Sequence, residues 1–252
     1  MRSALLLLLS CLPMAAQAAR LLAVTTDFPP FQSASPQPWG LALQTAQALA
    51  QRNGDTLDIR FLPWPRAYQI AESTPDTLIF CLARTPEREA RYGWIGQIAH
   101  NDVVLWRLRS RPEVNPHTLA DARRWQLGVT AQDVKARYLL QQGFVIGSNL
   151  QESSDDGSNI RKLLAGRIDL LPFSSSTALH YQLREAGLAP DSLQPALALP
   201  ALSGQLYLAF SPGSNRARLT RYVAQFHRLQ QQKFLPRLRQ QLQLPPEAPG
   251  QP

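Results

Sequence analysis

Two arginines, Arg84 and Arg88, follow a short apolar run, Leu78-Ile79-Phe80-Cys81-Leu82-Ala83, with Thr85-Pro86-Glu87 between them. A guanidinium is a planar fork of donors that holds a carboxylate through two parallel hydrogen bonds. An arginine fixed at the end of a strand could therefore grip an anionic solute. Thr85 suits an N-cap, Pro86 the first helical position and Glu87 the positive end of a helix dipole. Arg88 does not suit its place. A capping box would put Glu or Gln there, and a cation in the first turn works against the dipole. A charge kept in that position either has another use or lies in solvent or a surface ion pair.

Residues for catalysis form no comparable pattern. His100, His117, His180 and His227 are scattered and make no metal-ligand spacing. Ser211-Pro212-Gly213-Ser214 is not a nucleophile elbow, and Cys81 has no His partner apparent in the sequence. No catalytic set, metal or cofactor is expected.

The chain has 252 residues and a formal charge of +8. Its first nineteen residues predict a secretory signal peptide. Arg2 gives the positive region, Leu5 to Leu9 the apolar region and Ala16-Gln17-Ala18 the cleavage site. Cleavage would leave a charge of +7, with Cys81 as the only cysteine and so no internal disulfide. The expected location is the periplasm. The basic residues are scattered along the chain, with no aromatic-interleaved run or motif for nucleic acid. Roughly 230 residues suit one large domain or two lobes.

Alternation of apolar strands and amphipathic helices organises both halves. The first half predicts strands at Leu21 to Thr25, Thr56 to Leu62, Thr77 to Leu82 and Val103 to Leu108. Helices are expected from Gly40 to Arg52, from Pro65 to Glu72 and from Thr85 onward. The second half predicts strands at Trp125 to Thr130, Phe144 to Ile146 and Ile168 to Phe173, with a polar loop from Glu152 to Ser158. Its helices are expected from Asp133 to Gln142, Asn159 to Ala165 and Ser175 to Glu185. Pro190 to Pro200 reads as a connection, and Gln205 to Phe210 as a strand. A helical region follows from Asn215 to Leu242, broken near Pro236, and the tail 245–252 is expected to be disordered. The pattern implies an α/β fold of mainly parallel sheets flanked by helices.

Four segments in order resemble the extracytoplasmic solute-binding proteins of family 3, the receptors of polar amino acid ABC transporters. These are Phe28-Pro29-Pro30-Phe31, Pro63-Trp64-Pro65-Arg66, Thr85-Pro86-Glu87-Arg88 and Gly166-Arg167-Ile168-Asp169. The resemblance implies a two-lobed periplasmic binding protein (type 2) fold, with ligand held in the cleft between lobes. It places lobe 1 at residues 20–107 plus 204–244 and lobe 2 at 108–203. Hinges would fall near Trp106 to Arg109 and Ser203 to Tyr207. The implied partners are a small solute and an inner-membrane permease or sensor, with the protein a monomer.

By the same resemblance Arg88 is the carboxylate clamp. Phe28 and Trp64 would cover the ligand or simply pack in the core. Ala83 and Cys81 stand where amino acid receptors often carry hydroxyls. Arg66 and Arg84 would make the cleft cationic if they share it with Arg88; otherwise they are solvated or stacked on Trp64. Gln132 and Asp133 stand where second-lobe contacts often arise, although Asp133 also suits an N-cap. The family places a carboxylate near Ser174, yet Leu170 to Arg184 contains no Asp or Glu. A function in solute capture is expected. A sensing subunit, or a dehydratase built on the same fold, are the alternatives.

Overall fold

The computed structural model describes residues 20–245. The expected signal peptide lies outside the described residues, as does the expected disordered tail beyond residue 245. The first passage of the chain forms β1 (Arg20–Thr25), α1 (Leu41–Arg52), β2 (Thr56–Phe61), α2 (Trp64–Ser73) and β3 (Leu78–Ala83). It continues through α3 (Pro86–Glu89) and β4 (Gly93–Asn101). The second passage comprises β5 (Val103–Leu108), α4 (Leu119–Ala122), β6 (Leu127–Thr130), α5 (Val134–Gln141) and β7 (Leu150–Ser153). After these come α6 (Asp156–Leu164), β8 (Leu171–Ser174), α7 (Ser176–Glu185) and β9 (Leu193–Ala198). The chain then returns with β10 (Gly204–Phe210), α8 (Arg216–Gln231) and α9 (Phe234–Gln241).

Lobe 1 is built on a five-stranded sheet in the order β2-β1-β3-β10-β4. β1 runs parallel to β2 and β3, while β10 is antiparallel to both its neighbours. Lobe 2 holds a three-stranded antiparallel sheet, β8-β5-β9, and a parallel pair, β6-β7. Two connections link the five-stranded sheet to the three-stranded one, Asp102 between β4 and β5 and residues 199–203 between β9 and β10. The two crossings are tied together. Asn101 Nδ2 donates to the Leu202 carbonyl at 3.2 Å, and the Val103 amide donates to Ser203 Oγ at 3.0 Å. β5 therefore belongs to lobe 2, so the first crossing precedes the segment Trp106 to Arg109 where a hinge was expected. Sequence pattern shows only that β4 and β5 are extended; their pairing decides the lobe.

Other differences have local causes. Val145 and Ile146 are 55% and 49% exposed, and in place of the short strand expected over Phe144 to Ile146 only Ile146 makes an isolated bridge, to Leu150. The strand lies later, at β7. Pro195 and its neighbours, expected to be a connection, form the edge strand β9, where a proline needs no ladder donor. The C-terminal helices break at Lys233, whose φ of 52° ends α8. Pro236 sits in the first turn of α9, where its missing N–H has no intrahelical acceptor to lose.

Candidate functional site

The lobes meet around a cavity of about 60 Å³, and two aromatic contacts also join them. Phe28 of lobe 1 lies 6.1 Å from the Phe173 ring of lobe 2, and Trp39 lies 5.5 Å from Tyr181.

Lobe 1 turns hydrogen-bond donors toward this space. Arg88, in the single turn of α3, is 1% exposed and is the largest fully buried side chain of the described residues. Its Nη1 donates to the Ala83 carbonyl at 3.0 Å, and its guanidinium carbon lies 4.9 Å from the Tyr68 ring centroid. Its Nε and Nη2 are buried with no protein partner. Burying a charged fork with two idle donors is costly unless something else accepts from them. The Trp64 indole N–H and the Gln32 amide nitrogen are buried and unpartnered in the same cavity wall. Asn101, at the end of β4, adds an unpartnered Oδ1.

Cys81 reaches the cavity through a bulge. β10 pairs Tyr207 with Leu82 and Leu208 with Phe80, which leaves Cys81 as the extra residue, at a φ of 57°. Such a bulge redirects a side chain that would otherwise follow the strand alternation. Its Sγ donates to Gln32 Oε1 at 3.0 Å. Burial pushes the thiol pKa far above its ordinary value, against a smaller opposing effect from Gln32.

Lobe 2 supplies a compact charged cluster. Lys135, in the first turn of α5, is 2% exposed. Its Nζ donates to Asp133 Oδ2 at 3.1 Å and to Ser174 Oγ at 2.9 Å. Burial works against its charge, but the Asp133 and Asp156 carboxylates outweigh that and raise its pKa. Asp156, at the start of α6, accepts from Thr130 Oγ1 at 2.7 Å. Burial raises its carboxyl above the usual range, with Lys135 pulling the other way. Asp155 caps α6 through the Ser158 amide at 2.6 Å, and Asp27 of lobe 1 faces the same side.

The cavity thus brings together Arg88, Trp64, Phe28, Ala83 and Ser174 from the residues expected by sequence. Arg66, Arg84 and Gln132 are not among its lining residues. Arg66 is exposed on α2 and bonds Gln69 at 3.0 Å. Arg84 is exposed, forks onto Glu89 at 2.7 and 2.6 Å, and stacks on Trp94 and Tyr207 instead of Trp64. Gln132 is exposed with a φ of 60°, and its neighbour Asp133 takes the inward place. Asp169 is structural. It accepts from the Gln126 amide at 2.9 Å and pairs with Arg111.

Sequence reasoning missed Lys135, Asp156, Asp155 and Gln32. Lys135 carried the signal that marks Arg88, a cation in the first turn of a helix. In place of a carboxylate within Leu170 to Arg184, the cavity has Asp133, before α5, and Asp155 and Asp156 at the start of α6, the latter two in a stretch that reads as polar loop. Among the described residues no cluster of His, Cys, Asp and Glu suits a metal ion, and no helix is long and apolar enough to cross a membrane.

No protein-family model matches the sequence, and no curated protein matches it significantly. Solved structures do match the fold. A histidine kinase sensor domain with similarity to periplasmic binding proteins aligns with a TM-score of 0.77 at 17% identity, over 90% of this chain and 96% of its own. An ancestral arginine-binding protein bound to arginine aligns with a TM-score of 0.75 at 14% identity, over 89% and 98%. The amino acid ABC transporter substrate-binding protein AbpA of Streptococcus pneumoniae, bound to L-arginine, gives 0.72 at 16% identity, over 89% and 94%.

Proposed function

We propose that this chain, which has the two-lobed type 2 periplasmic binding protein fold, is a non-enzymatic periplasmic receptor for a small carboxylate-bearing solute. The observation that carries the reading is Arg88, a residue lining the inter-lobe cavity whose buried guanidinium has no protein acceptor for Nε and Nη2. A carboxylate would take both donors at once. Trp64 and Gln32 would donate to the same group. Asp156 and Asp27 supply acceptors for an ammonium, which favours an amino acid-like solute over a simple organic acid. Lobe closure would then bury the solute and present the closed form to a membrane partner.

Delivery to an ABC transporter is the first reading of that partner. A sensing role is the second, favoured by the likeness to a histidine kinase sensor domain. The raised thiol pKa of Cys81 argues against that thiol as a nucleophile in the cavity, because the protonated form reacts poorly. A thermal-shift screen of amino acids, their carboxamides and organic acids tests the reading. Free carboxylates should stabilise the protein and the matched carboxamides should not; equal shifts from both would sink it.

A further inference from the structure

α1, α8 and α9 pack together as one helical layer on lobe 1, away from the cleft. No acidic residue occurs between Asp27 and Asp55, which covers α1, or between Asp191 and Glu247, which covers α8 and α9. The same helices carry Arg52, Arg216, Arg218, Arg221, Arg228, Arg237 and Arg239, and Lys233 lies at the break between α8 and α9. Positions that look scattered along the sequence are thus gathered in space. Arg218 pairs with Asp76 at 2.8 Å, and Arg239 is held at the Pro245 carbonyl at 3.3 Å. Arg216, Arg221, Arg228, Lys233 and Arg237 are exposed and have no acid beside them on their own helices.

From this layer we infer a docking surface for anionic lipid headgroups, by which the protein rests on a membrane. Two observations favour a bilayer over an acidic protein. The surface is made of helices whose apolar residues Tyr222, Phe226, Leu229 and Leu238 are buried, which leaves mainly polar and basic side chains outward. It also has no large exposed apolar side chain: those of the described residues, Leu140, Val145, Ile146 and Leu164, all lie on lobe 2. A protein interface is built around an apolar centre. A headgroup layer requires only charge, and basic residues near an anionic surface act additively over a Debye length. Held this way, the receptor would stay concentrated beside a partner embedded in the same membrane.

Vesicle flotation tests this with the protein in the form its host exports. It should float with phosphatidylcholine vesicles containing phosphatidylglycerol, remain free with phosphatidylcholine alone, and be released by about 1 M salt. Arg221→Gln with Arg228→Gln should weaken binding about 25-fold, at about fivefold for each charge removed near an anionic surface. Arg124→Gln with Arg167→Gln, which removes the same charge from lobe 2, should leave binding within about twofold of wild type. Equal flotation with neutral vesicles would overturn the inference, as would equal loss in both double variants. Failure to float with anionic vesicles at low salt would also overturn it.

Discussion

Lys135 of α5 donates from Nζ to Ser174 Oγ of β8 at 2.9 Å, so the two residues frame the lobe 2 side of the cavity as one unit. Because the ammonium occupies a lone pair of that hydroxyl, the Ser174 proton is free to turn toward a solute. Asp133 and Asp156 hold the ammonium charged despite its burial. Replacing it should be severe. Lys135→Met leaves those carboxylates in low dielectric without their cation, at a cost of about 3–5 kcal/mol. The Asp156 carboxyl already titrates above its usual range, so this cost is present when Asp156 is ionised and is relieved as pH falls below its folded pKa. Urea unfolding at neutral and mildly acidic pH checks both statements. A loss below about 1 kcal/mol at neutral pH would put Lys135 outside the charge cluster.

Glu72 should act with the opposite sign. Burial would raise its pKa, but hydrogen bonds from Tyr92 and Arg91 and the Arg91 charge outweigh this, and the carboxyl titrates below the usual glutamate range. Its stabilisation is present above the unfolded-state pKa and is lost as pH falls through the lower folded value. Glu72→Gln should cost about 1.5–3 kcal/mol at neutral pH. That gap should narrow on acidification below about pH 4, the range where an unfolded glutamate protonates. A gap that widened with acid would contradict the ion pairing.

Cys81 should be slow to react. Thiolate is the reactive form, and burial holds Cys81 protonated. A maleimide at pH 8 should label the folded protein far more slowly than the urea-unfolded chain. Similar rates in the two states would show that the thiol is neither buried nor bonded to Gln32.

Gly96 of β4 reports how α8 seats on the sheet. A Cβ added there would overlap the Phe226 ring, a contact that has to be relieved by moving the helix or the ring. Gly96→Ala should therefore cost about 1–3 kcal/mol, the usual range for overpacking a core. Calorimetry that found the variant as stable as wild type would place α8 farther from β4.

Much of the fold was legible because its signals are local. The Gly40 to Arg52 periodicity and the apolar run before Arg84 each fix an element without reference to the rest. What escaped the sequence depends on pairing. β5 joins lobe 2 through its contacts with β8 and β9, and no residue within Val103 to Leu108 announces that choice. The same holds in the cavity. Arg88 stood out because a cation at a helix start conflicts with the dipole, and Lys135 had an equal conflict that went unread. The inward turn of Cys81 follows from no local pattern, because it comes from a bulge set by β10, more than a hundred residues away.

The most direct measurement is the melting temperature of wild type and Arg88→Met, each with and without the solute identified by screening. Arg88 is a buried charge with idle donors, so an apolar side chain of similar length should leave the unliganded protein as stable as wild type or more so. Wild type should gain about 4 kcal/mol at a thousandfold excess over Kd, and the variant almost nothing. An unliganded variant that is destabilised yet keeps the full solute shift would make Arg88 a structural residue and refute its role as the carboxylate clamp.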